Sequence, residues 1–300
     1  MKIGYPCINL TVPCKGTKTF RLKSYSEQNL KKTIENNLSC LLQTLKFNAD
    51  HKIGFFRITS DLIPFASHPV NTYNWQHHFK NKFEEIGDYI KKNNMRISMH
   101  PDQFTLINSI KQDIFQRSTR ELAYHATVLD AMQIDTSAKI QIHVGGVYKD
   151  KKASMQRFAT RFSKLNNTIR RRLVIENDDR LFNLTDCLQL NKETGVPVLF
   201  DVFHHRVNPT PATVNQALKL TQKTWRIKTD GVPMADYSSQ KPNGSPRAHA
   251  ISINLEDFQA FLEETQPIDF DVMLEIKNKE KSAIKAVALA SQDPRFQVTS

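Results

Sequence analysis

Imidazoles and carboxylates recur where short apolar runs stop. "MRISMH" (95–100) ends in His100, "KIQIHVGG" (139–146) carries His143, and "LVIEND" (173–178) carries Glu176. "PVLFDVF" (197–203) carries Asp201 with His204 and His205 just beyond, "VPMADYSS" (232–239) carries Asp236, and "DFDVMLEI" (269–276) carries Glu275. His68 and His249 fall in polar segments between such runs. Taken singly, each reads as an ordinary polar residue: a satisfied histidine or, for Glu176 and Asp201, a helix N-cap or dipole partner. Taken together they are nitrogen and oxygen ligands without a thiolate, a set that suits Zn²⁺, Mn²⁺, Co²⁺ or Fe²⁺. A catalytic ion usually takes three or four protein ligands, so this many candidates imply two or three ions. Such a cluster lowers the pKa of water and clamps the attacking and leaving oxygens of a phosphodiester.

These residues can meet only if the runs that carry them lie side by side. Two further runs, "KIGYPCINL" (2–10) and "GFFRITS" (54–60), bring the strand candidates to eight, and segments of helical period alternate with them. The segment 24–47 opens on the capping-box pattern Ser24-x-x-Glu27 and keeps Leu30, Ile34, Leu38, Leu41, Leu42 and Leu45 on one face. Helical patterns follow at 75–94, 113–133, 155–171, 184–193, 212–222, 255–265 and 280–290. Strand–helix units in this number predict one α/β domain over residues 1–300, a (β/α)8 TIM barrel with its active site at the C-terminal ends of the strands. The last ten or so residues read as a flexible tail. A doubly wound open sheet is the alternative, because the seventh strand is short and the loop "SSQKPNGSPRAHA" follows it. No G-x-G-x-x-G or G-x-x-x-x-G-K-[ST] phosphate loop occurs, which counts against that alternative and against a nucleotide cofactor.

The 42 Lys and Arg against 30 Asp and Glu leave a formal charge of +12, which favours a polyanionic partner or serves solubility. Lys277, Lys279, Arg206, Lys228, Lys241 and Arg247 are the basic residues nearest the candidate site in sequence. Cys7, Cys14, Cys40 and Cys187 show no C-x-x-C spacing in a chain large enough to need no staple, so free thiols in a reducing cytoplasm are expected. No apolar run approaches membrane-spanning length, and the start "MKIGYPCINL" does not read as an export signal.

Eight motifs in chain order, "GYPCINLT", "FRITSDLIPFASHP", "HPDQF", "IHVGG", "IEND", "FDVFHH", "DYSSQ" with the later "AHA", and "MLEIKNKE", resemble the UV damage endonuclease family. That family consists of metal-dependent barrels that nick DNA on the 5′ side of ultraviolet photoproducts, cyclobutane pyrimidine dimers and 6-4 products. The resemblance implies that His100, His143 and Glu176 hold one ion and that Glu176 bridges to a second, held also by Asp201, Asp236 and Glu275. A third would lie near His204 and His249; this grouping leans on likeness to abasic-site endonucleases built on the same barrel. The resemblance also puts Glu176, His68 and Lys277 in catalysis, with His68 beside the ions and the scissile phosphate. Gln103 and Phe104 would probe the damaged duplex, and Tyr5 and Asn9 would lie near the lesion pocket. Phe104 stands where some relatives carry tyrosine, and Asp236 where some related enzymes use histidine; Phe104 could instead cap the core. Mn²⁺ is the first choice of metal, with Zn²⁺, Co²⁺ or Mg²⁺ as alternatives, and damaged double-stranded DNA is the expected partner of a monomer. The rival readings are an abasic-site endonuclease, a two-metal sugar isomerase and a barrel that binds damage without cutting it.

Overall fold

The structure, a computed structural model, describes residues 1–297. Eight parallel strands close into a barrel in chain order: β1 (Ile3–Pro6), β2 (Phe55–Ile58), β3 (Arg96–Met99), β4 (Lys139–His143), β5 (Leu173–Glu176), β6 (Val198–Asp201), β7 (Met234–Tyr237) and β8 (Asp271–Leu274). Pairing of β1 with β8, Ile3 opposite Val272, completes the ring and rules out the open sheet. Every strand lies inside its expected run but is shorter, and His100, His143, Glu176, Asp201 and Glu275 fall at the strand ends or just beyond them. Gly4 lets β1 and β2 close up, since a Cβ there would stand 2.0 Å from the Phe55 carbonyl oxygen.

Side chains alternate across a strand, so residues two apart share a face. The inward columns run Phe55–Arg57, Arg96–Ser98–His100, Lys139–Gln141–His143, Val174–Glu176, Leu199–Asp201, Met234–Asp236 and Asp271–Met273–Glu275. They stack in layers. The floor is ionic: Lys139 Nζ meets Asp230 at 2.6 Å, and Arg96 lies 3.5 Å from Asp271. Phe55, Val174, Leu199, Met234 and Met273 form a separate apolar cluster with Trp225, whose ring lies against Arg96. The upper layer carries the residues able to do chemistry, and the dry plug beneath them fixes the strands and keeps the local dielectric low.

The helices cover the outside; the short helices Val202–Val207 and Ile227–Asp230 lie in no expected helical segment, and three expected segments differ in detail. The helix Glu27–Asp50 buries its predicted stripe but is capped by Ser26, whose hydroxyl accepts from Asn29 N; Ser24 lies in a short 3-10 turn instead. The run 75–94 breaks at Phe79 into Trp75–His78 and Lys80–Lys92. The run 155–171 starts earlier, at an Asp150 cap, as Lys151–Phe162, and restarts at Asn166 as Asn167–Arg170, because each Asx side chain satisfies free backbone N–H groups. After β7 the Gly/Pro/Ser loop folds on itself through an antiparallel bridge between Gln240 and His249. Residues 291–297, expected as a tail, are held down: Arg295 donates to the carbonyls of Leu262 and Ile268, and Gln297 N donates to Met1 O. Residues 298–300 lie outside the described residues.

The expectation of four free thiols is corrected. Cys14 and Cys40 form a disulfide that ties the loop after β1 to the helix Glu27–Asp50, leaving Cys7 and Cys187 free. Spacing could not show this pair, because the fold brings together residues 26 apart. Thiol titration of the denatured, unreduced chain should find two thiols, and reduction should cost about 2–4 kcal/mol of stability; four thiols before reduction would refute the bond. Among the described residues no helix is long and apolar enough to cross a membrane.

Candidate metal centre

Glu176, the last residue of β5, is 2% exposed and sits at the middle of the upper layer. One carboxylate oxygen lies 3.1 Å from His143 Nε2 and 3.8 Å from His204 Nδ1, and the other lies 3.7 Å from His100 Nε2. His143 closes β4, and Gly145, at φ +114°, turns the chain immediately afterwards; a Cβ there would stand 2.2 Å from Asn108 Oδ1. His100 follows β3, where Pro101 cannot donate to the ladder. Asp201 closes β6 and also caps the helix Val202–Val207, accepting from His204 N at 2.6 Å, so the capping reading of this residue holds beside the ligand reading. The first turn of that helix brings His204 Nδ1 to 3.3 Å from Asp201 Oδ2. His205 turns away to Ala212 O and packs on Phe200.

Candidate ligand atoms fall into three overlapping groups, each within 4.8 Å: His100, His143 and Glu176; Glu176, Asp201 and His204; Asp201, Asp236 and Glu275. The charge balance fits divalent ions. Four carboxylates, Glu176, Asp201, Asp236 and Glu275, share this buried layer with one guanidinium, Arg57. Burial drives the Asp201 carboxyl up to about 7, with Glu275 and Glu176 adding to the rise against His204. Burial opposes charge on His204, yet Asp201, Glu176 and Glu275 hold its imidazolium up to about 9. His100 is the opposite case, pushed down to about 4 chiefly by burial, which leaves a neutral ring able to coordinate. Burial also opposes charge on Glu176, but His143, His100 and His204 keep its carboxyl below the usual range. His143 Nδ1 is buried with no hydrogen-bond partner. Buried carboxylates in excess of the one guanidinium, beside imidazole nitrogens, are the donor set of a borderline divalent cation.

Two central residues were not anticipated. Arg57 on β2 and Gln141 on β4 point into the lumen; Arg57 binds Asp236 and Glu275, while Gln141 Nε2 donates to Glu176 and, at 2.6 Å, to Asp236 Oδ2. The available signal was a charged or amide residue in the middle of an otherwise apolar strand, inward in the same period of two as the terminal ligands.

The remaining expected site residues stand apart from the three groups. His249 turns Nδ1 to Glu275 O at 2.9 Å and packs on Phe203. His68 is exposed and lines a cleft of about 580 Å³ with Phe104, Asp102, Arg117 and Arg120. Gln103 is exposed, and Phe104, 72% exposed on an Asx turn at Asp102, does not cap the core. Tyr5 and Asn9 are buried, and Asn9 lines a small cavity with Cys7 and Thr59. Tyr5 donates to Asn48 and accepts from Asn9, whose own oxygen accepts from Thr11 N and Val12 N, so the pair braces the loop after β1. Lys277 is exposed at the rim beyond β8. Of the other basic residues, Arg206 pairs with Asp257, Arg247 pairs with Asp179, and Lys228 lines a cavity at the opposite, floor end of the barrel.

The family model described as UV-endonuclease UvdE matches residues 1–297. The chain is similar to a UV DNA damage endonuclease of Clostridium perfringens (strain 13 / Type A), 38% identical over 96% of this chain and 70% of that protein. It superposes on the crystal structure of SacUVDE with a TM-score of 0.94 and 43% identity, covering 99% of this chain and all of that one, 100%. Endonuclease IV from Thermus thermophilus shares the barrel at a TM-score of 0.59 over 97% of this chain and 98% of that one, but at 10% identity, a likeness of fold alone.

Proposed function

This chain belongs to the UV-endonuclease UvdE family, and from that premise we propose that it is a divalent-metal-dependent enzyme that hydrolyses the phosphodiester immediately 5′ to ultraviolet photoproducts in duplex DNA, leaving a 3′-hydroxyl and a 5′-phosphate. The observation that carries the metal dependence is the buried carboxylate of Glu176, shared by two of the ligand groups. In this reading His100, His143 and Glu176 hold one ion, and Glu176, Asp201 and His204 hold another, Mn²⁺ before Zn²⁺, Co²⁺ or Mg²⁺. Ions held there supply Lewis acidity toward the phosphodiester and lower the pKa of water. The chain's residues do the rest. Buried apolar side chains fill part of the lumen below, so electrostatic contacts to the phosphate act at reduced dielectric. His68 and Lys277 contact phosphate at the rim. Gln103 and Phe104, out on their loop, fill the gap left when the damaged nucleotides leave the stack, a movement that photoproducts make easier because they already weaken pairing. Action as a monomer belongs to the same reading, one duplex lying across one mouth.

The test is incision of an end-labelled duplex carrying one cyclobutane dimer, with Mn²⁺, beside an undamaged duplex and one with an abasic site. A cut directly 5′ to the dimer is expected; a cut at the abasic site alone would transfer the chain to the abasic-site reading. Phe104→Ala should lower kcat/KM at the dimer by roughly ten- to a hundredfold, the loss of about 1–3 kcal/mol of stacking. Its thermal midpoint should not change, because the ring is solvent-exposed. Unchanged incision by this variant would remove Phe104 from the DNA interface.

A further inference from the structure

Of the three ligand groups, the one made by Asp201, Asp236 and Glu275 differs from the others in already facing a permanent cation. Arg57 is 3% exposed and reaches across the lumen from β2 to β7 and β8. Its Nη2 donates to Asp236 Oδ1 at 2.9 Å and Oδ2 at 2.7 Å and to Gln141 Oε1 at 2.8 Å, and its Nη1 donates to Glu275 Oε1 at 2.5 Å. Asp236 is fully buried, and Gln141 Nε2 supplies it with a further bond, so both its oxygens are engaged. The groups around Glu176 contain only histidines, which can be neutral, as their nitrogen donors. A guanidinium does not deprotonate in a protein and keeps its charge at any working pH.

We propose that Arg57 is a built-in cation standing where a third metal ion would otherwise be needed, so that this chain binds two ions and Asp236 is the anchor of Arg57, not a metal ligand. The inference rests on the metal-dependent reading above and narrows it. A divalent ion coordinated by Asp236 at about 2.0–2.2 Å would stand only a few ångström from Nη2, and like charges at that range in a low-dielectric lumen repel strongly. Arg57 also holds one oxygen of Glu275 and so fixes that carboxylate, which makes Arg57 a positioning residue. A carboxylate at position 236 suits this role, because an aspartate pairs with a guanidinium through both oxygens and a neutral ring cannot.

The test counts ions. Chelator-stripped protein is titrated with Mn²⁺, and the free ion is followed by its EPR signal. Wild type should take up two ions per chain, and Asp236→Asn, which keeps shape and an acceptor for Arg57, should also take up two. Arg57→Met should admit a third, and Arg57→Lys should return the count to two. Three ions in wild type, a lower count in folded Asp236→Asn, or two in folded Arg57→Met would overturn the inference. Should Arg57→Met fail to fold, wild type and Asp236→Asn decide alone. No uptake by wild type would overturn the metal-dependent reading itself; with that reading intact, Glu176→Gln must lose ions while Asp236→Asn does not, so the two failures are told apart.

Discussion

Glu176→Gln is expected to lower incision beside a cyclobutane dimer by about 10⁴-fold, with the fold intact and lesion binding within a few-fold of wild type. The size follows from position. Glu176 is a member of two ligand groups, its oxygens facing His143 and His204 on one side and His100 on the other, so an amide there weakens both ion sites at once. The fold should survive, because the amide is isosteric and Gln141 and the histidines remain beside it. Binding should survive, because Gln103, Phe104 and Lys277 lie on loops outside the centre. Three measurements separate the links: circular dichroism for the fold, electrophoretic mobility on lesion duplex for recognition, and single-turnover nicking for chemistry. Wild-type nicking by this variant would remove the carboxylate from the mechanism, and loss of the far-ultraviolet signal would make its role structural.

The candidate ligands were legible in the sequence because barrel strands end in a fixed place. Once eight strands are counted, the residue that closes each run must face the mouth, so His100, His143, Glu176 and Asp201 follow from position and residue type. What was hidden depends on contacts across the lumen. Arg57 is one residue in an apolar strand, and nothing local says that it reaches β7 and β8 to bind Asp236 and Glu275. The burial of Tyr5 and Asn9 was hidden in the same way, because it depends on Asn48, which lies on a helix 43 residues from Tyr5 along the chain. The Ser24 cap failed for a local reason: two serines compete, and Ser26 lies where the helix axis starts. The proposal that Gln103 and Phe104 probe the lesion comes from resemblance, because composition and period do not carry it.

Loading the ion-free chain with Mn²⁺ at pH 7 is expected to release between one and two protons, and the apparent affinity should rise by about 10²- to 10³-fold from pH 6 to pH 8. The sign follows from the two shifted ligands. His204 keeps its proton up to about 9 and Asp201 up to about 7, and both must be deprotonated to coordinate. Below those values each proton competes with the ion, so affinity climbs with pH and levels off above about 9. His204 alone accounts for roughly a hundredfold over that window, and Asp201 adds up to about tenfold; the two share one set of charges and titrate together, which sets the range. His100, already neutral above about 4, contributes nothing to the slope. His204→Gln should therefore flatten the pH dependence, whereas His100→Gln should weaken binding and leave the slope unchanged. Calorimetry in two buffers of different ionisation enthalpy counts the protons directly, and a count near zero at pH 7 would exclude His204 and Asp201 as ligands. The same linkage fixes the acid limb of activity: it reflects ion loading and not the chemical step, so saturating Mn²⁺ should move that limb to lower pH.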